Sequence, residues 1–257
     1  MKITLLPSSL GANGEGSVQY LTTFLINDVV AIDAGSLGVA RSPADQARVT
    51  HVLLTHSHID HVATLPVFLE NIYGEQAEVV TVHATPEVEH SLRRDVFNDR
   101  VWPDFIRIST SGNPFLKTAT LQPFTPVTLD GLKITPVPVD HTVPTVGFIV
   151  EDEGAAVVFS GDTGPTEAIW QLANSLPKLK AIFLEATFPS SMGALAELTQ
   201  HLTPATFAKE LAKVNTPVPV YAFHIKPRFA AQVIKELREL SVPNMLAIAE
   251  PGRVYSF

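Results

Sequence analysis

Six residues carry the densest chemistry in this chain: His56-Ser57-His58-Ile59-Asp60-His61 places three imidazoles and a carboxylate in one short stretch. Neutral imidazole and carboxylate are the nitrogen and oxygen ligands of divalent cations. On an extended loop the alternate residues His56 and His58 aim the same way, whereas Asp60 and His61 aim at a second point nearby. Two such clusters suit a dinuclear site, whose ions sit roughly 3.5–4 Å apart. More donors are needed, and His141, Asp162 and His224 supply them. Asp162 stands in Ser160-Gly161-Asp162-Thr163, where Gly161 permits a sharp turn. Together these are seven nitrogen or oxygen donors without sulfur, a set that suits zinc, manganese or iron and does not choose among them.

The elements that must position these donors are legible from local patterns. Strands are expected at Ile3–Leu6, Val18–Ile26 and Val29–Asp33, with Asn27-Asp28 as a hairpin turn between the last two. Ser42-Pro43 caps a short helix over 43–48, and strand His51–Leu54 runs into the histidine-rich loop and a helical stretch. Strand Ala77–His83 and a helix opening at Thr85-Pro86 follow, while 99–123 reads as irregular. Strands return at 124–129, 132–139, 145–151 and 155–160. Helix Thr166–Ser175, strand 180–185, helix Pro204–Val214, strand Val218–Phe223 and helix 227–240 complete the reading. His141, Asp162 and His224 all fall just past strand ends, where they could converge on one rim. Strands cluster in both halves and helices follow each, an order satisfied by two mixed β-sheets packed as a four-layer αββα sandwich.

Composition narrows the function classes. The chain of 257 residues has 18 basic and 26 acidic residues, a formal charge of −8, which argues against a broad nucleic-acid surface. Nine His accompany no Cys, so disulfides, thiolate metal sites and cysteine nucleophiles are all excluded. Apolar runs are strand-sized, short of the roughly 20 residues of a membrane span, and Pro7 interrupts the first of them before a secretory segment could form. No linker or repeat divides residues 1–257, so a single domain is expected, soluble and cytoplasmic, with the periplasm left open.

His56–His61, Asp140-His141, Ser160-Gly161-Asp162 and His224 together resemble the metallo-β-lactamase superfamily. Gly14–Thr22, Val30–Leu37, the extension through Val62 toward Leu65-Pro66, Phe97–Pro103, Leu184–Phe188, His201–Pro204 and His224–Lys226 resemble one branch of it, the class II 3′,5′-cyclic-nucleotide phosphodiesterases. The resemblance implies that His56, His58 and His141 hold one divalent metal, most simply zinc. It implies that Asp60, His61 and His224 hold a second, with Asp162 bridging. The implied reaction is hydrolysis of cAMP or cGMP to the 5′-monophosphate by a hydroxide shared between the metals. Asp60 and His201 are the candidate catalytic residues, His201 for contact with the phosphoryl group or protonation of the leaving oxygen. A homodimer follows only by analogy with the superfamily.

Asp33 and Asp140 are candidates for orienting ligand histidines from behind. Phe97, Asn98, Trp102 and Lys226 are candidates for substrate contact, the aromatic rings by stacking on a base. His51, His83 and His90 are expected to be structural or exposed. A ribonuclease Z-like enzyme shares the ligand set and the Asp-His-x-x-Pro-x-x-Gly pattern of Asp140–Gly147, but Leu184 stands where that family places a catalytic His. A sensor that binds cyclic nucleotide without cleaving it is a rival of another class, and the complete ligand set argues against it.

Overall fold

The computed structural model describes residues 1–8, 19–75 and 78–257. Residues 14–18 of the Gly14–Thr22 stretch, the start of the strand expected at Val18 and the start of that expected at Ala77 lie outside the described residues. The chain forms two compact units, Lys2–Gln122 with Pro251–Ser256, and Pro123–Glu250 with the two terminal residues Met1 and Phe257.

The first unit is built on strands β1 (Lys2–Leu5), β2 (Phe24–Ile26), β3 (Val30–Ile32), β4 (His51–Leu53), β5 (Thr81–Ala84), β6 (Lys117–Thr120) and the last strand, β14 (Val254–Ser256). Their order is β14-β1-β2-β3-β4-β5-β6, antiparallel up to β3 and parallel from β3 onward. Asn27 and Asp28 take φ of 51° and 62°, the left-handed pair that a tight hairpin between β2 and β3 demands. Helix α1 (Pro43–Gln46) begins as its sequence predicts, with Ser42 Oγ accepting from the Asp45 amide. Helices α2 (Ile59–Val62) and α3 (Leu65–Ile72) follow β4, and α4 (Pro86–Ser91) follows β5 behind the cap of Thr85. Val52, Leu54, Val62, Leu65, Phe68, Leu69 and Val82 pack together between sheet and helices as the core of this unit. The segment 99–123 is more ordered than expected: it holds helix α5 (Phe105–Ile108) and edge strand β6. The β6 residues Lys-Thr-Ala-Thr are mostly exposed, so no apolar alternation marks the strand, and only pairing with β5 creates it.

The second unit carries β7 (Val127–Leu129), β8 (Leu132–Val139), β9 (Thr145–Glu151), β10 (Ala156–Phe159), β11 (Leu179–Glu185), β12 (Val220–Phe223) and β13 (Leu246–Ile248). Its order is β13-β12-β11-β10-β9-β8-β7, parallel from β13 to β10 and antiparallel from there to β7. Asp130 and Gly131, φ 47° and 77°, form the two-residue turn between β7 and β8. Helices α6 (Ala168–Asn174), α7 (Gly193–Thr199), α8 (Pro204–Leu211) and α9 (Ala230–Arg238) cover a core that includes Ile149, Val158, Trp170, Ile182, Leu184, Phe207 and Val233. Sequence reading missed α7, β13 and β14, three short elements whose stability comes from neighbours rather than from their own pattern. Both sheets are therefore mixed and carry helices, in agreement with the fold the resemblance implies. No helix among the described residues is long and apolar enough to cross a membrane.

Candidate metal centre and active site

In the first unit the parallel strands β3 and β4 end side by side. Asp33 follows β3 and Thr55-His56 follows β4, so a carboxylate and an imidazole emerge from the same sheet edge. Asp33 adopts φ +61° and is 1% exposed, a costly conformation held by its neighbours. Its carboxylate accepts from the Thr55 amide (2.8 Å), from Thr55 Oγ1 (2.8 and 3.0 Å) and from His61 Nδ1 (2.7 Å). The turn that follows is tied back by the amide of Thr22 donating to the Asp60 carbonyl (2.9 Å) and that of Ala34 donating to the His61 carbonyl (2.7 Å). Gly35 is obligatory here: a Cβ at that position would lie 2.1 Å from the Asp60 carbonyl oxygen. The result gathers the motif. The His56 ring centroid lies 4.2 Å from that of His61 and 4.7 Å from that of His58, with His56 and His61 buried and His58 and Asp60 half-buried at the entrance of α2.

In the second unit β8, β10, β11 and β12 all run in one direction, and each delivers a polar residue at its C-terminal end. These are His141, Asp162 and His224, at the strand-end positions read from the sequence, and Glu185, which that reading did not single out. Gly161 has φ +63° and His224 φ +57°, two sharp turns that aim the side chains. Donor atoms of His141, Asp162 and His201 lie within 4.8 Å of one another, as do those of Glu185, His201 and His224. Asp162 Oδ2 is 3.2 Å from His224 Nε2. His141 Nδ1 donates to the Gln200 carbonyl (3.0 Å), placed by the left-handed Gln200 (φ 50°) that ends α7. This displaces Asp140 from the expected orienting position: its side chain is exposed, and its backbone oxygen accepts from the Gly164 amide.

Glu185, with no exposed surface, is a further buried carboxylate beside Asp162 at this rim. It accepts from His201 Nδ1 (2.6 Å), Thr187 Oγ1 (2.8 Å) and the amides of Thr163 (3.1 Å) and Leu202 (3.2 Å). Burial alone would push the His201 imidazole down, but the Glu185 carboxylate, with Asp162 behind it, more than offsets this and leaves the imidazole above its ordinary value. Glu185, Thr55 and Thr187 were given no role by sequence reading. Only a buried acid followed two residues later by Thr at a strand end, as in Glu185-Ala186-Thr187, could have suggested them.

The donor set fits divalent metal. It is all imidazole and carboxylate, crowded and mostly buried, and it brings a carboxylate oxygen against a ring nitrogen, an arrangement that a shared cation stabilises. The substrate candidates fare unevenly. Phe97 is 1% exposed and packs against Phe105, so its ring offers no face to a base. Asn98 uses its side chain within its own loop, accepting from the amides of Arg100 and Val101 and donating to the Arg94 carbonyl. Trp102 lines a cavity of about 530 Å³ with Glu70, Tyr73, Pro103, Phe105 and Phe115. Lys226 Nζ lies 3.5 Å from His224 Nε2, beside the second cluster.

Residues 22–238 match the model of the Beta-lactamase superfamily domain. The chain belongs to the metallo-β-lactamase superfamily. As a hydrolase of that superfamily it is 27% identical to a probable 3′,5′-cyclic-nucleotide phosphodiesterase of Yersinia pestis, over 92% of this chain and 82% of that one. Its fold matches that of unliganded yeast PDE1 with a TM-score of 0.75 at 19% identity, covering 98% of each chain. It also matches that of human tRNase Z, short form, with a TM-score of 0.69 at 16% identity, covering 100% of this chain and 99% of the other.

Proposed function

We propose that this metallo-β-lactamase-fold hydrolase cleaves 3′,5′-cyclic nucleotides to 5′-monophosphates with two divalent metal ions. The observation that carries the reading is the likeness to a probable cyclic-nucleotide phosphodiesterase over 92% of the chain. In this reading His56, His58, Asp60, His61, His141, Asp162 and His224 would hold the two ions, the ligand set that the motif resemblance implies. Bound there, the two cations make a water acidic enough to ionise near neutrality and neutralise phosphoryl charge.

The chain's own residues do the rest. Asp33 and Glu185 hold His61 and His201 by their Nδ1 atoms. That leaves His201 Nε2 to protonate the departing 3′ oxygen. Lys226 adds a cation beside His224 for the phosphate. The substrate is thus a small cyclic nucleotide rather than a nucleic-acid polymer, for which a chain of charge −8 is poorly suited. Leu184 supports the distinction from ribonuclease Z, since it is fully buried in the apolar core and has no proton to transfer.

The test offers protein loaded with Zn²⁺ or Mn²⁺ the substrates cAMP, cGMP, 2′,3′-cyclic nucleotides and precursor tRNA, with and without chelator. Chelator-sensitive release of 5′-monophosphate from cAMP or cGMP is expected. Cleavage of tRNA alone, or tight cAMP binding without turnover, overturns it.

A further inference from the structure

The two units repeat one hydrogen-bonding arrangement around unrelated sequences. In the first, Thr55 Oγ1 stands 2.8 Å from Asp33 Oδ2 and 2.9 Å from His56 Nδ1. In the second, Thr187 Oγ1 stands 2.8 Å from Glu185 Oε2 and 2.9 Å from His224 Nδ1. Each carboxylate also takes one imidazole directly, His61 Nδ1 at 2.7 Å and His201 Nδ1 at 2.6 Å. One buried acid per unit therefore serves two histidines, the first by contact and the second through a threonine hydroxyl.

Proton counting assigns the direction of every bond. An ionised carboxylate only accepts, and a hydroxyl has a single proton to give. Each carboxylate is buried and already receives backbone amides, Thr55 at Asp33 and Thr163 and Leu202 at Glu185, so its oxygens draw the hydroxyl proton. The threonine oxygen then has only lone pairs left for the neighbouring imidazole, which must carry its proton on Nδ1. Thr187 Oγ1 also lies 3.2 Å from His201 Nδ1 and 3.3 Å from the His224 carbonyl, but Glu185 is the nearer partner for His201 and the stronger acceptor for the hydroxyl. A second carboxylate in either place would bury another negative charge, which the hydroxyl avoids.

We infer that Thr55 and Thr187 are matched positioning residues that fix the tautomers of His56 and His224, holding the proton on Nδ1 so that Nε2 presents its lone pair to a metal ion. The assignment of these two histidines as ligands rests on the function proposed above, and because Asp162 Oδ2 lies 3.2 Å from His224 Nε2 and competes for the ring proton while no metal is bound, the His224 tautomer is read with Zn²⁺ present.

Long-range ¹H–¹⁵N NMR at pH 8 reads them, in the metal-free protein for His56 and with Zn²⁺ bound for His224. His56 and His224 are expected to carry Nδ1–H, and either ring carrying its only proton on Nε2 overturns the inference whatever the variants do. Thr55→Val and Thr187→Val remove the hydroxyl at nearly constant volume. Each should mix the tautomers of its own histidine and weaken Zn²⁺ or Mn²⁺ binding, measured by calorimetry, by about 10–100-fold. Thr55→Ser and Thr187→Ser should restore both. Val variants with wild-type spectra and metal affinity, or Ser variants as impaired as Val, overturn it. If metal binding responds as stated while no cyclic nucleotide is hydrolysed, the tautomer assignment stands and the proposed activity falls.

Discussion

His201 Nδ1 lies 2.6 Å from Glu185 Oε1, a carboxylate with no exposed surface at the end of a parallel strand. The short charge-assisted bond fixes which nitrogen of His201 faces outward, and it lifts the imidazole above its usual value against the depressing effect of burial. The same carboxylate anchors Thr187 and two backbone amides, so it organises the rim of the second sheet as well as one histidine.

Replacing Glu185 by Gln keeps the shape and removes the charge. His201 then keeps only a neutral acceptor that no longer favours its protonated form, and kcat for cAMP should fall by about 10²–10³-fold. His201→Ala should fall at least as far while two metal ions remain bound, as counted by atomic absorption. Steady-state kinetics with unchanged kcat in both variants would return the pair to a structural role.

Gly35 bears on the first unit. An added methyl at Gly35 would meet the Asp60 carbonyl at 2.1 Å and Thr22 backbone atoms at 2.7 Å, and backbone cannot yield as a side-chain end can. Gly35→Ala should therefore displace the Asp60–His61 turn, cost about 1–3 kcal/mol in urea unfolding and lower metal occupancy. A variant of native stability that binds two ions would show that the turn relaxes freely.

The pairing of His51 Nδ1 with His83 Nε2 at 3.0 Å gives a pH dependence of stability. Burial, with the neighbouring His51 ring, pushes His83 down to about 4. Between pH 6.5 and 4 the unfolded chain therefore holds the extra proton, so stability rises with pH through that window. The contribution is complete above pH 6.5 and is lost as the pH falls toward 4, by about 2 kcal/mol, less than the full shift because His51 is half-buried and solvent screens the pair. Urea unfolding of metal-free protein across this window should show a flatter slope in His83→Gln. An unaltered slope would place the titration elsewhere.

Much of the site was legible before any fold was drawn. The spacing His56-x-His58-x-Asp60-His61 and the strand-end positions of His141, Asp162 and His224 name donors because ligand chemistry depends on residue type, and strand ends can be read from local patterning. The turns at Asn27-Asp28 and Asp130-Gly131 and the caps at Ser42 and Thr85 were equally plain, since a left-handed φ or an N-cap is a property of one or two residues.

Other features depended on neighbours distant in sequence. Strand β6 exists because β5 supplies its hydrogen bonds, and Phe97 is core rather than substrate contact because Phe105 covers it. Asp33 reaches Thr55 and His61 only because β3 and β4 lie side by side, and Glu185 reaches His201 across sixteen positions. The sequence by itself determined which groups can bind metal. The tertiary structure decided which nitrogen of His61, His141 and His201 is engaged, because that depends on the acceptor packed against the ring.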